Sequence, residues 1–133
     1  MIADLNNMPH MFWECNWLYF NHKLPTPKFD VMHTYRKLGK FAYRWGEKKK
    51  PFKKRFMVIL MSDYFDFDEE TFINIMAHEM IHYYIAEHQI KDNKAHGREF
   101  MRIAQELNEK YGLHITKTVD GSKIPLSPLA PKI

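Results

Sequence analysis

The hydrophobic pattern of the first quarter of the chain predicts one helix followed by one strand. Over 8–21 the apolar residues recur at steps of three and four, which is the period of an α-helix. Pro9 falls in the first turn, where proline is tolerated. The segment 24–27 contains two prolines, so it ends the helix and forces an extended connection. Alternation over 29–34 then predicts a first strand.

A second and a third strand are predicted on either side of a basic turn. Gly39 begins the second strand, 40–45, in which basic residues alternate with apolar and aromatic ones. A turn at 46–51 follows. At 56–61 six consecutive residues are apolar, which is typical of a strand that is buried on both faces.

The longest apolar run of the chain lies at 72–86 and contains neither glycine nor proline. It predicts a buried helix. Asp66 or Asp68 can cap the N-terminus of this helix, and two glutamates lie in the first turn, where the helix dipole favours them. We expect the helix to run to about Glu87.

A polar connection at 89–95 separates this helix from another, predicted over 97–113 with Gly112 as its C-terminal stop. Four residues mark the buried face of the later helix: Phe100, Ile103, Ala104 and Leu107. The tail after Lys117 contains Gly121 and three prolines, so it wraps the surface or frays.

Length and composition indicate one globular domain over 1–133, with a core at about 8–115 and an irregular tail at 116–133. Hydrophobic residues make up 45% of the chain and aromatic residues 15%, enough for a packed interior. The predicted class is therefore α+β. A short sheet of about three strands packs against about three helices, and the helix with the apolar run lies at the centre.

Several kinds of protein are disfavoured by the sequence. We expect no membrane span, because no run of about 18 apolar residues is free of charge. The first residues lack the basic start and apolar stretch of a signal peptide. Cys15 is the only cysteine, which rules out an internal disulfide framework and a cysteine-based zinc finger. We therefore expect a cytoplasmic protein, and a monomer.

The net charge of +4 conceals a strong asymmetry along the chain. The segment 36–55 contains ten basic residues and one acidic residue, so it carries 10 − 1 = +9 and the remainder carries 4 − 9 = −5. Such a concentration of positive charge indicates a surface that meets an anionic partner.

The central apolar run contains the sequence His78-Glu79-Met80-Ile81-His82. Residues four apart lie one turn apart on the same face of a helix, so His78 and His82 can offer two imidazole nitrogens to one metal ion. Glu79 lies beside them. This pattern is typical of zinc-dependent hydrolases, in which the glutamate takes a proton from the zinc-bound water.

A histidine on an apolar helix face is often a hydrogen-bonded core residue, and eight histidines make a chance match conceivable. Here, however, three ionisable side chains fall within five residues of an apolar helix. Each polar group that is buried without a partner costs about 1–3 kcal/mol. A divalent cation supplies the partner that such a cluster needs, so we favour a zinc site.

A catalytic zinc ion usually has three protein ligands, and the third is not in the five-residue motif. His88 follows His82 by six residues, the spacing of metzincin proteases. In those proteases a glycine turns the chain back, whereas Ile85 stands at that position here and resists positive φ. If the helix continues, His88 lies about 9 Å along the axis from His82 and is a solvated helix-end residue.

His96 is the better candidate for the third ligand. It lies at the mouth of the following helix, after a polar connection that can reverse the chain, and Gly97 allows close backbone approach. Glu99 is a weaker candidate, because a carboxylate in a first helical turn has a simpler role at the helix dipole.

With these residues the chain resembles the SprT-like (Spartan-type) metalloprotease domain. The family combines a histidine-glutamate-x-x-histidine helix with a third histidine in an H-G-x-x-F motif, matched here by His96-Gly97-Arg98-Glu99-Phe100. The segment 16–25, which ends in Leu24-Pro25, is similar to the opening helix of the family, and 39–44 resembles its glycine-led strand. The likeness covers about 8–115.

The resemblance implies a zincin-like fold, one catalytic zinc on His78, His82 and His96, and Glu79 as the general base for peptide-bond hydrolysis. It also implies an association with DNA and the digestion of proteins crosslinked to it. Many members carry a cysteine-rich zinc ribbon after the protease domain. We expect no such ribbon here, since Cys15 is the only cysteine of this sequence.

The basic segment 36–55 has two interpretations. It can be a solvated hairpin tip whose lysines prevent edge pairing. It can also bind single-stranded DNA, because aromatic residues interleave with cations there. The candidate contacts are Lys40, Arg44, Trp45, Lys48, Lys49, Lys50, Lys53, Lys54 and Arg55.

Two alternatives to a protease of DNA-bound proteins stay open at this point. One is a zinc-containing DNA-binding module with a closed site of four ligands and no hydrolysis. The other is a regulatory protease that cleaves one specific partner. The sequence offers no cysteine as a fourth ligand, which favours an open site.

Overall fold

A computed structural model describes residues 1–44 and 56–132 of the chain. Within these residues the fold contains three α-helices and one sheet of three strands, so the predicted α+β class is confirmed. The helices are α1 (Asn7–Tyr19), α2 (Glu69–Glu87) and α3 (Arg98–Tyr111). The strands are β1 (Lys28–Met32), β2 (Gly39–Arg44) and β3 (Phe56–Ser62).

The sheet is mixed, with β3 in the middle. Its order is β1-β3-β2, with β1 parallel and β2 antiparallel to β3. As the unbroken apolar pattern predicts, most of β3 is buried, because it has a strand on each side and packs into the core. β2 and β3 pair as the two arms of a hairpin, with Gly39 opposite Met61 and Arg44 opposite Phe56. The predicted hairpin tip lies outside the described residues.

The central helix, α2, contacts α1, α3, β2 and β3. Phe72, Met76 and Met80 recur at steps of four along it and are fully buried. Its N-terminal cap is Asp68, whose carboxylate accepts a hydrogen bond from the backbone N–H of Thr71. The helix ends at Glu87, as predicted. Because α2 is packed on several sides, the side chains of His78, Glu79 and His82 are surrounded by other elements of the fold.

The first helix ends two residues earlier than its apolar period predicts. Asn21 and His22 both adopt positive φ, 53° and 56°, so the chain turns before it reaches the prolines. The amide of Asn16 holds this turn, because it donates to the carbonyl of Leu24 and accepts from the N–H of the same residue. The His22 ring stacks on Trp17 at 4.1 Å between centroids.

The third helix matches its predicted buried face, since all four of its predicted residues are buried. It ends at Gly112, which adopts the left-handed conformation (φ 70°) that glycine tolerates best. Residues 116–132 then follow the surface. They include a short 3-10 helix at Gly121–Lys123 and a bridge between Phe65 and Leu126.

Within 1–44 and 56–132, no α-helix combines the length and the apolarity that crossing a bilayer requires.

Replacing the cap of α2 should destabilise the protein. Asp68→Ala removes the hydrogen bond to Thr71 and a negative charge at the helix N-terminus, so we expect the free energy of unfolding to fall measurably. Chemical denaturation measures this loss. Asp68→Ser keeps a capping oxygen and should restore most of the stability; equal losses in the two variants would contradict the capping role.

Candidate metal centre

Three histidine side chains converge at one end of a cleft. His78 and His82 lie one turn apart on α2, and His96 lies two residues before α3 begins. Their Nε2 atoms form a triangle. The distances are 3.3 Å between His78 and His82, 3.2 Å between His82 and His96, and 3.1 Å between His96 and His78.

The position of His96 depends on a cap that closes the connection between α2 and α3. The Asp92 carboxylate accepts hydrogen bonds from the backbone N–H groups of Glu99 and Phe100, each at 3.1 Å. Gly97 makes room for this carboxylate, because a Cβ there would lie 2.0 Å from Asp92 Oδ1. The sequence indicates a polar, chain-reversing connection, but it does not single out Asp92 as the residue that closes it.

The Phe100 ring forms the floor beneath the three histidines. It is fully buried, and its centroid lies 4.8 Å from that of His78, 4.7 Å from that of His82 and 4.9 Å from that of His96. This contact explains why an aromatic residue four positions after His96 accompanies the histidines: one apolar ring supports all three imidazoles.

The ring of His78 is oriented from its far side. Its Nδ1 lies 2.9 Å from the backbone carbonyl of Thr116, in the segment that follows α3. A carbonyl can only accept, so Nδ1 carries the proton and Nε2 presents a lone pair towards the other two histidines. A carbonyl is present in every residue, and for that reason the sequence gives no signal for this contact.

Hydrogen bonds alone cannot satisfy the triangle of Nε2 atoms. In a neutral imidazole each nitrogen either donates or accepts, so at least one of the three pairs must bring like groups together. A cation can accept a lone pair from all three. With Zn–N bonds of about 2.0–2.1 Å, tetrahedral ligands lie about 3.3 Å apart. The observed spacings fit three corners of such a site.

The electrostatic surroundings keep these histidines neutral. Burial lowers the pKa of His78 to about 4, against which the Thr116 carbonyl acts weakly. Burial, with the neighbouring histidines, lowers the pKa of His82 to about 4 as well. The pKa of His96 is also lowered, by burial and then by the charge of Lys117. Neutral imidazoles are the form that binds metal.

Glu79 is the buried carboxyl group of the site, and only 5% of its surface is exposed. Its Oε2 lies 4.0 Å from His78 Nε2. Burial raises its pKa to about 8, and Lys37 partly opposes this shift. Gly39, the first residue of β2, allows the strand to pass close to this carboxyl, because a Cβ there would lie 2.9 Å from Glu79 Oε2.

The other candidate ligands lie away from the triangle. His88 caps the C-terminus of α2, is exposed, and packs on Tyr84 with 4.3 Å between ring centroids. Glu99 accepts hydrogen bonds from Arg102. The structure therefore brings together His78, His82 and His96, and it separates His88 and Glu99 from them.

The histidines open into a cleft of about 1330 Å³ between β2 and the segments on either side of α3. Six exposed cationic residues line it: Arg36, Lys37, Lys40, Lys91, Lys94 and Lys117. The carboxylates among its described lining residues are Glu79 and the capping Asp92. The cleft walls are therefore electropositive.

Few of the predicted nucleic-acid contacts can be placed. Lys40 lines the cleft, and Arg44 is the last residue of β2. The remaining candidates lie outside the described residues: Trp45, Lys48, Lys49, Lys50, Lys53, Lys54 and Arg55.

The sequence was matched by the profile of one known family, and the match includes the three histidines. The sequence profile of the SprT-like family matches residues 8–119, which is most of the chain. The chain belongs to the SprT-like family. The match spans α2, His96, α3 and the Thr116 segment, and it supports a domain of the zinc metalloprotease type. A search of curated proteins found no match.

The metal-free SprT-like domain should lose stability as the pH rises from 6.5 to 8. Because the pKa of Glu79 is raised in the folded chain, the folded chain keeps a proton that the unfolded chain has already released. The stability that this bound proton contributes is lost as the pH rises through the folded-state pKa. The lowered pKa values of His78 and His82 act mainly below pH 6.5, where they reduce stability as the pH falls.

Melting of chelator-treated protein at the two pH values measures this effect. We expect the melting temperature of the wild type to drop by about 5 °C, and that of Glu79→Gln to change much less. An equal drop in both proteins would show that another group is responsible.

Proposed function

We propose that this SprT-like domain is a zinc-dependent endopeptidase. The observation that carries the proposal is the triangle of three neutral imidazole nitrogens beside a buried carboxyl group, open to a cleft. His78, His82 and His96 would hold the ion. Bound there, zinc would supply a Lewis acid that acidifies water and polarises a peptide carbonyl.

The residues around the ion divide the remaining work. Glu79 would accept a proton from the attacking water and transfer it to the leaving amine. Beside a bound cation the pKa of Glu79 would be lower than in the metal-free chain, which favours the carboxylate form that accepts a proton. The Phe100 floor keeps the inner side of the site dry, and the cleft admits a polypeptide from the opposite side.

The geometry favours a catalytic site over a structural one. Within the described chain, the cluster able to hold a metal consists of three histidines. Structural zinc sites are normally closed by four protein ligands, whereas catalytic sites keep one position open. This difference weighs against the DNA-binding module without protease activity.

We further propose that the endopeptidase acts near nucleic acid. Arg36, Lys37 and Lys40 line the cleft, and they belong to the basic segment 36–55 that continues beyond the described part of β2. Single-stranded DNA on this segment would place proteins bound or crosslinked to it near the histidines. A protease dedicated to one partner is the alternative, and it would not need DNA.

Two variants test the catalytic assignment. Glu79→Gln keeps the three histidines, so it should retain zinc while hydrolysis falls roughly 100- to 10,000-fold. His96→Ala removes one of three ligands and should reduce both zinc content and hydrolysis. Metal analysis of the purified proteins and cleavage of an unfolded protein substrate measure the two effects.

His88→Ala is the matched control for His96→Ala, because it removes a histidine that lies away from the triangle. It should keep full zinc content and activity. The endopeptidase assignment would be wrong if Glu79→Gln turned over substrate at the wild-type rate, or if the wild type held no zinc.

Binding of single-stranded oligonucleotides tests the DNA proposal. The wild type should bind at low salt. For each tenfold rise in salt concentration, the logarithm of its binding constant should fall by about 0.7 per phosphate contact. Replacing Lys48, Lys49 and Lys50 together by alanine should weaken binding and flatten this dependence. The same change at Lys23, Lys110 and Lys132 should have a smaller effect. Absence of wild-type binding at low salt would overturn the proposal.

A further inference from the structure

The segment that orients His78 is itself held by side chains outside the triangle. The chain reverses at Gly112, and 113–116 returns to α2, where the Thr116 carbonyl meets His78 Nδ1. We call 113–116 the return segment. A carbonyl can orient an imidazole only if its own backbone is fixed, so the anchors of the return segment bear on the metal centre.

Asn108, on α3, provides the first anchor. Its Nδ2 donates to the carbonyl of Ile115 at 2.9 Å, and its Oδ1 accepts from the N–H of Ile115 at 2.8 Å. One amide thus grips both backbone polar groups of the residue next to Thr116. The Ile115 side chain is buried in the core, 3% exposed, which fixes the same residue from its other side.

Asn74, on α2, provides the second anchor. Its Oδ1 accepts a hydrogen bond from the N–H of His114 at 3.0 Å. Asn74 lies four residues before His78, one helical turn away. The return segment therefore bridges α3 and α2, and the helix that carries His78 also carries one of its supports.

We propose that Asn108 is a positioning residue of the metal centre, which acts on His78 through the backbone of Ile115 and Thr116. The inference rests on the proposed function in one respect, that His78 binds zinc. With the Thr116 carbonyl in place, the His78 proton stays on Nδ1 and the Nε2 lone pair faces the other histidines. Without the anchor, the carbonyl moves and both the tautomer and the orientation of the ring become mixed.

The chain offers a matched control for this test. Asn16 makes the same pair of hydrogen bonds, from one amide to the N–H and the carbonyl of Leu24, in the turn after α1. Asn16→Ala and Asn108→Ala therefore remove the same chemical groups and the same number of bonds. Of these two asparagines, Asn108 anchors the return segment, whereas Asn16 anchors the turn after α1.

Zinc affinity, measured by competition with a chromophoric chelator, should separate the two variants. We expect about 10-fold weaker binding in Asn108→Ala, at the lower end of the effect of outer ligand supports, and wild-type affinity in Asn16→Ala. Melting of the metal-free proteins shows how far each variant is destabilised. If Asn108→Ala binds zinc as tightly as Asn16→Ala, Asn108 is merely structural and the proposal is overturned.

Two further measurements keep the test independent of folding and of catalysis. Asn108→Asp retains an acceptor for the Ile115 N–H and loses the donor to its carbonyl, so it should fold and show weakened zinc binding. Nitrogen-15 NMR of the His78 ring in metal-free protein should show a proton on Nδ1 in the wild type and mixed tautomers in Asn108→Ala. An unchanged ring in Asn108→Ala would refute the proposal, even if the wild type hydrolysed no peptide.

Discussion

The contact between one buried phenyl ring and three imidazoles is the constraint on which the site depends. Phe100 shields His78, His82 and His96 from water on one side, and burial keeps the imidazoles of the two α2 histidines neutral. Three neutral nitrogens at mutual distances of 3.1–3.3 Å cannot all find hydrogen-bond partners in one another. The packing therefore creates an electron-rich triangle whose chemistry suits a cation.

The rest of the fold brings the parts of this triangle to one place. α2 supplies two histidines and the buried carboxyl because it is packed against both other helices and the sheet. β2 passes close to that carboxyl through Gly39. The Asp92 cap fixes the start of α3, and His96 lies two residues before that start. The return segment places the Thr116 carbonyl against Nδ1 of His78. The Asp92 cap and the Thr116 contact both use backbone groups, so the site is held by main-chain geometry as well as by its side chains.

The sequence predicts the elements of this protein well, because apolar period and helix-ending residues act locally. It predicts α2 with two candidate caps, the buried face of α3 and the burial of β3. His96 can be selected over His88 because Ile85 indicates that α2 continues. The Thr116 carbonyl and the Asn108 anchor cannot be found in this way. Every residue has a backbone carbonyl, so the sequence does not mark the one that contacts His78. Asn108 reaches Ile115 only because the chain reverses at Gly112, and this reversal is a feature of the folded structure.

Two of the imidazoles lie on α2 and the third lies just before α3, and this separation along the chain has a consequence for the stability of the connection between them. An ion held by all three would crosslink the chain across 83–95. The second half of this stretch is the polar and largely exposed connection between α2 and α3. The binding energy of the ion would then appear as resistance of this connection to local opening, with little change in overall shape. Metal supply would then govern how long the molecule resists proteolysis at this connection.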